Sequence, residues 1–152
     1  MTMLSIFNVF LSRLSNQEDI VVGTPVAGRQ DASLEGVMGM FVNTLPLRNF
    51  PEATLSFLEF LEIVRDKTLQ CIEYQSYQYE DLVEALQIPR NMSRNPLFDV
   101  MFGYENFYES KFEIPGLKLE AFGEEQKTSK FDLTLSITEL PNEMICSFNY
   151  AT

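Results

Sequence analysis

The chain has 152 residues, 45% of them apolar, with 11 basic against 22 acidic side chains and a net charge of −11. That length suits a single domain with its own core, and so acidic a surface repels phosphate backbones and anionic lipids, which excludes nucleic acid and membranes as partners. The absence of histidine removes the usual base at neutral pH, the serine–histidine and cysteine–histidine pairs, and imidazole metal ligation.

Two cysteines, Cys71 and Cys146, form no disulfide framework and have no zinc-type spacing, which fits a reducing, cytoplasmic setting. The apolar start lacks basic residues ahead of it and is too short for a span of about 20 residues. Leu4, Phe7, Leu11 and Leu14 instead mark one stripe of an amphipathic helix that ends near Ser15 and Asn16.

Ile20–Val22 is a β-branched run read as a buried strand stopped by Gly23, Thr24 and Pro25. Residues 23–40 read as loop, with Gly23, Gly28, Gly36 and Gly39 and a helical turn around Leu34–Val37. Strand character returns from Phe41 to Leu47, before Pro51. A helix is predicted from Ser56, which stands at capping-box spacing from Glu59, to about Tyr74. Its apolar positions are Phe57, Leu58, Leu61, Val64, Thr68, Leu69 and Ile72.

A shorter helix carries Tyr79, Leu82, Val83 and Leu86 and is closed by Pro89. Leu97–Phe102 reads as a strand buried on both faces, and Leu117, Leu119 and Ala121 alternate with charged residues. Segment 123–130 reads as a surface loop. Phe131, Leu133, Leu135 and Ile137 alternate with polar residues, as do Met144, Cys146, Phe148 and Tyr150, and Pro141 and Asn142 between them predict a hairpin with a loop of about five residues. The order predicts a mixed α/β fold in which helices cover a sheet. The chain stops right after a strand and reads as cut.

Four segments could carry chemistry. Gly23–Arg29 (GTPVAGR) is glycine-punctuated but lacks the Gly-Lys-Ser/Thr ending of a phosphate loop; it is either a strand exit or a cleft mouth where Arg29 orients a chain or pairs an acid. Gly39–Arg48 (GMFVNTLPLR) sets Asn43 and Thr44 in an apolar strand, where an unsatisfied polar group costs about 1–3 kcal/mol. They form either a satisfied core network or the polar lining of a pocket. Arg90–Phe98 (RNMSRNPLF) is a polar turn entering a strand, and Tyr74–Glu80 reads as packing at a helix–helix junction.

Asp19–Arg29, Gly39–Arg48 and Arg90–Phe98, in this order, resemble the fourth, fifth and seventh core motifs of condensation domains from nonribosomal peptide synthetases. Tyr74–Glu80 is only loosely similar to the sixth, with Tyr74 in the histidine place and Gln78 in the proline place. The resemblance makes residues 1–152 the carboxy-terminal subdomain, truncated at both ends. It implies one half of a chloramphenicol-acetyltransferase-like fold, with a tunnel between two pseudo-equivalent halves. Carrier proteins present phosphopantetheine-bound thioesters at its two mouths, and no cofactor is bound directly.

By the same resemblance Arg29, Asn43, Thr44 and Arg94 face or brace the tunnel, with Gly28 and Arg90 as motif residues beside them. The family's His-His-x-x-x-Asp-Gly belongs to the other half, so no catalytic residue is assigned here. An uncovered half-domain face implies self-association. Two rivals are a stand-alone module that binds or scaffolds carrier proteins, and an acyltransferase using Glu80 or Asp132 as base. Acidic carriers disfavour the first, and the weakness of unburied carboxylates as bases disfavours the second.

Overall fold

The computed structural model of the chain describes residues 1–29, 31–34, 36–88, 94–106, 117 and 128–151. Pro89, Arg90, Leu119, Ala121 and most of segment 123–130 lie outside them, and Leu117 is exposed. The elements are α1 (Thr2–Ser15), β1 (Ile20–Val26), β2 (Asn43–Asn49), α2 (Phe57–Glu73), α3 (Tyr79–Ala85), β3 (Val100–Asn106), β4 (Leu133–Glu139) and β5 (Met144–Tyr150), with a short 3₁₀ turn at Ala32–Leu34. This is the expected mixed α/β order. The strands form one sheet in the order β2-β1-β3-β4-β5. Its two ends are antiparallel pairs, and β3 runs parallel to both β1 and β4.

Helix α1 stops where expected, at Asn16, whose left-handed backbone (φ 54°) caps the last turn. Leu4, Phe7 and Leu11 are buried, but Leu14, in the last turn, is 67% exposed. Ser5 and Asn8, polar residues set between these apolar positions, are buried as well. Each donates to the carbonyl four residues back, Ser5 Oγ to Met1 O at 3.2 Å and Asn8 Nδ2 to Leu4 O at 2.8 Å, although Asn8 Oδ1 has no hydrogen-bond partner among the described residues.

Strand β1 does not stop at Gly23 but runs on through Thr24 and Pro25 to Val26. Pro25 lies opposite Thr44, and Pro46 lies opposite Gly23. These positions share one parity in the ladder, so neither missing N–H falls where β1 and β2 exchange hydrogen bonds. On its other side β1 registers with β3 only at Gly23 and Met101, and Thr24 Oγ1 donates to Phe102 O at 2.9 Å. Gly23 itself is required: a Cβ there would lie 2.3 Å from the Phe98 ring.

Strand β2 begins at Asn43, two residues after the predicted start, and β3 at Val100, three residues late. Among the described side chains of β3 only Phe102 is buried, and Tyr104 is exposed, so this strand is not covered on both faces.

Helix α2 has the predicted capping box: Glu59 N donates to Ser56 Oγ at 3.4 Å, and Ser56 N donates to Glu59 Oε2 at 2.9 Å. The Ser56 hydroxyl and backbone N–H hold the Glu59 carboxyl below its ordinary value. Its contribution is therefore present at neutral pH and is lost as pH falls through that lowered value. Ser56→Ala should cost about 1 kcal/mol and lower the thermal midpoint by about 2–4 °C, as followed by far-UV circular dichroism; an unchanged midpoint would contradict the cap's role.

The face of α2 that packs inward is Phe60, Val64 and Thr68. Leu58, Leu69 and Ile72, expected on the core stripe, are exposed, because α1 and β2 meet a narrower row than the apolar pattern offers. Phe60 and Val64 join Phe7, Val22, Leu47, Phe102 and Ile137 in the core. In α3, Val83 is buried and Leu86 exposed. The β4–β5 hairpin is closed by residues 140–143, with Glu139 opposite Met144. Leu135 and Ile137 of β4 are buried as predicted, whereas Met144, Phe148 and Tyr150 of β5 keep the alternation without a cover. The Phe148 ring meets those of Phe7 and Phe10 of α1, at 6.3 and 6.2 Å.

Candidate functional site

The strand β1 leads into Gly28, the one glycine among those described with a positive φ, 62°. A Cβ there would stand 1.9 Å from Phe41 O, so the close approach of the two backbones admits only glycine. This approach brings Phe41 back against Gly28. Arg29 closes the fold: Nη1 donates to Leu34 O and to Val37 O (2.9 Å), Nη2 reaches Gly39 O at 3.4 Å, and the guanidinium lies 4.3 Å from the Phe41 ring centre. Among the described residues it meets no carboxylate.

Asn43, at the start of β2, is buried. Its Nδ2 donates to Gln75 O and Tyr77 O, both at 2.9 Å, and its Oδ1 accepts from Thr44 N at 2.8 Å. The strand is thereby fastened to the turn joining α2 and α3. Thr44, the next residue, lines a cleft of about 530 Å³ between β2, α2 and α3. The two alternatives posed by this pair thus divide between its members: Asn43 sits in a satisfied network, and Thr44 in a pocket wall.

The same turn reaches the seventh-motif segment. Tyr79 hydroxyl bonds Asn95 Oδ1, and its ring meets Phe98 edge-on at 5.7 Å. Phe98 in turn rests on Phe131 at 5.7 Å and over Gly23. Tyr79 and Asn95 are the residues that sequence reading missed. Their link spans 16 positions, and only the resemblance of Arg90–Phe98 to a motif pointed near it. Arg94 is exposed and stands 3.6 Å from Asp99 and 3.8 Å from Asp132. Arg90 lies outside the described residues.

The site therefore consists of a glycine-and-arginine clasp, an amide that ties β2 to the α2–α3 turn, and an arginine held between two aspartates. None of these supplies a buried nucleophile or base. Glu80 and Asp132 are both exposed. Among the described residues no group of three His, Cys, Asp or Glu side chains could hold a metal, and no helix is long and apolar enough to cross a membrane.

A family model for the condensation domain matches residues 1–152. Tyrocidine synthase 3 of Brevibacillus parabrevis is 53% identical over 139 residues, which cover 91% of this chain and 2% of that protein. The chain spans 2% to 6% of the length of the curated relatives it matches. A solved four-domain nonribosomal peptide synthetase, bound to AMP and glycine, superimposes with a TM-score of 0.88 at 27% identity, covering 98% of this chain and 12% of that one. The condensation domain of the monacolin K polyketide synthase shares the fold, with a TM-score of 0.79 at 23% identity over 94% of this chain and 33% of that one.

Proposed function

The chain belongs to the condensation-domain family, and from that premise we propose that it is the carboxy-terminal part of a domain that makes peptide bonds between carrier-bound thioesters. The observation that carries this reading is the family match over residues 1–152, with 53% identity to tyrocidine synthase 3. The reaction is attack of an aminoacyl amine on an aminoacyl or peptidyl thioester. A C–N bond forms, the C–S bond breaks, and the amine proton passes to the departing phosphopantetheine thiolate. Both phosphopantetheine arms belong to partner carrier proteins.

In this reading residues 1–152 supply one wall of the tunnel and no base. Gly28 and Arg29 shape the loop at its floor, Asn43 and Thr44 the strand beside it, and Arg94 the entry to β3. The amino-terminal half supplies the His-His-x-x-x-Asp-Gly, and it covers apolar residues such as Phe148 and Tyr150 that the chain leaves exposed. Without that cover the chain self-associates through the same face.

The test is single-turnover condensation between two loaded carrier proteins, with the product read by mass spectrometry. The chain alone is expected at background, and the same chain within a full condensation domain is expected to turn over. Product formed by the isolated chain would overturn the reading and restore the acyltransferase alternative.

A further inference from the structure

The sheet has two outer strands, β2 and β5, and they meet solvent on different terms. On β2 the residues whose backbone points away from β1 are Thr44, Pro46 and Arg48, a parity set by Pro25 and Pro46 in the ladder. Pro46 has no N–H, Thr44 N is taken by Asn43 Oδ1 at 2.8 Å, and Arg48 stands there as a charge paired with Asp19 at 2.6 Å. A proline, a side-chain cap and a charge keep an outer strand from recruiting another. Strand β5 has none of them. Its seven residues, MICSFNY, include no proline, glycine or charge in a chain of net charge −11, and residues 144–148 and 150 are exposed.

The hairpin fixes which groups β5 presents. Leu140 N donates to Glu143 O at 2.9 Å and Ala151 N to Asp132 O at 3.2 Å. With Glu139 opposite Met144, the odd-numbered residues of β5 therefore bond to β4. The N–H and C=O groups of Met144, Cys146, Phe148 and Tyr150 point outward, and among the described strands nothing lies beyond β5.

We propose that β5 is the seam of a dimer, in which two copies of this chain pair β5 to β5 antiparallel about a two-fold axis at Ser147. This register alone engages all four outward residues of both copies. Met144 lies opposite the partner's Tyr150, and Cys146 opposite the partner's Phe148. A two-fold axis normal to the sheet keeps these side chains on one face, and no pair sets like charges together. Phe148 of each copy already rests beside its own Phe10, so the apolar surfaces of the two copies adjoin across the seam. The seam gives a geometry to the self-association of the reading above, on which it rests, and it needs neither carrier proteins nor a catalytic base.

The register can be read by cross-linking. At the axis Ser147 meets its own copy in a non-hydrogen-bonded pair, with Cα atoms about 4.5 Å apart, inside the span of a disulfide. In a Cys146→Ser background, Ser147→Cys in a glutathione redox buffer should give a disulfide dimer joined at residue 147, with the joined peptides identified by mass spectrometry. Ile145→Cys in the same background lies about 14 Å from its own copy and should give none. Sedimentation of the parent chain should show an equilibrium that stops at the dimer. Ser147→Lys, which sets two lysines face to face, should weaken dimerisation about tenfold. Leu69→Lys, at an exposed position of α2, should leave it unchanged. Both sites are exposed, and an unaltered circular dichroism spectrum shows that the variants fold. A parent that stays monomeric at every concentration would overturn the self-association and the seam together. Growth past the dimer, equal effects of the two lysines, or linkage through Ile145→Cys as ready as through Ser147→Cys would each overturn the seam alone.

Discussion

Gly28→Ala is expected to lower stability by about 2–4 kcal/mol, the sum of a left-handed alanine and a steric conflict that only backbone movement relieves. The added methyl would stand 1.9 Å from Phe41 O, and a carbonyl cannot step aside as a side-chain tip does. Moving Phe41 withdraws its ring from Arg29 and with it the clasp on Leu34, Val37 and Gly39. The loss should appear as a lower urea midpoint at unchanged slope. It should also appear as faster tryptic cleavage after Arg29, a local readout that does not require global unfolding. Gly36→Ala is the control, because nothing lies within 4 Å of a Cβ there, and it should stay within about 0.5 kcal/mol of the parent. Equal behaviour of the two variants would remove Gly28 from its place in the site.

What could be read from the sequence follows the range of the forces involved. The cap at Ser56 and Glu59, the left-handed stop at Asn16 and the alternation of β4 rest on neighbours within a few residues, and each appears where the pattern places it. The misreadings occur where a distant element decides. Pro25 looks like a strand breaker until β2 supplies a register that asks nothing of its N–H. Helix α2 offers apolar residues on more than one face, and only the position of α1 and β2 selects Phe60 over Leu58. On β5 the alternation is present but its apolar side stays largely exposed, because a periodic pattern states which face is apolar and not what covers it.

The site shows the same division. The segments could be picked out by composition, as glycines before an arginine and an amide within an apolar strand. Their connections could not. Gln75 O and Tyr77 O meet Asn43 across more than thirty residues, and a backbone carbonyl leaves no trace in residue identity. The packing of Phe98 over Gly23 joins parts equally remote, although the missing side chain at Gly23 was visible. Recognition of the motif order brought these segments together before any geometry did, but it assigned no contact to any of them.

Asn43 is where that difference can be measured. Asn43→Leu keeps the volume while removing two donated hydrogen bonds and one accepted one. Gln75 O, Tyr77 O and Thr44 N are then left to whatever water can reach them, and the expected cost is about 3 kcal/mol. Asn43→Asp separates hydrogen bonding from packing. Its carboxylate can still accept from Thr44 N, but it faces two carbonyl oxygens with no proton to offer. The folded state therefore favours the protonated acid and raises its pKa above the unfolded value. Stability gained from that proton is complete below the unfolded pKa and is lost as pH rises through the folded one. The aspartate variant should thus approach the parent's urea midpoint at about pH 4 and fall well short of it at about pH 8, while the leucine variant keeps a constant deficit across that range. A flat aspartate profile, or a leucine variant as stable as the parent, would mean that the α2–α3 turn is held by packing alone, and that the amide's place at the start of β2 must be explained by what it presents to the cleft.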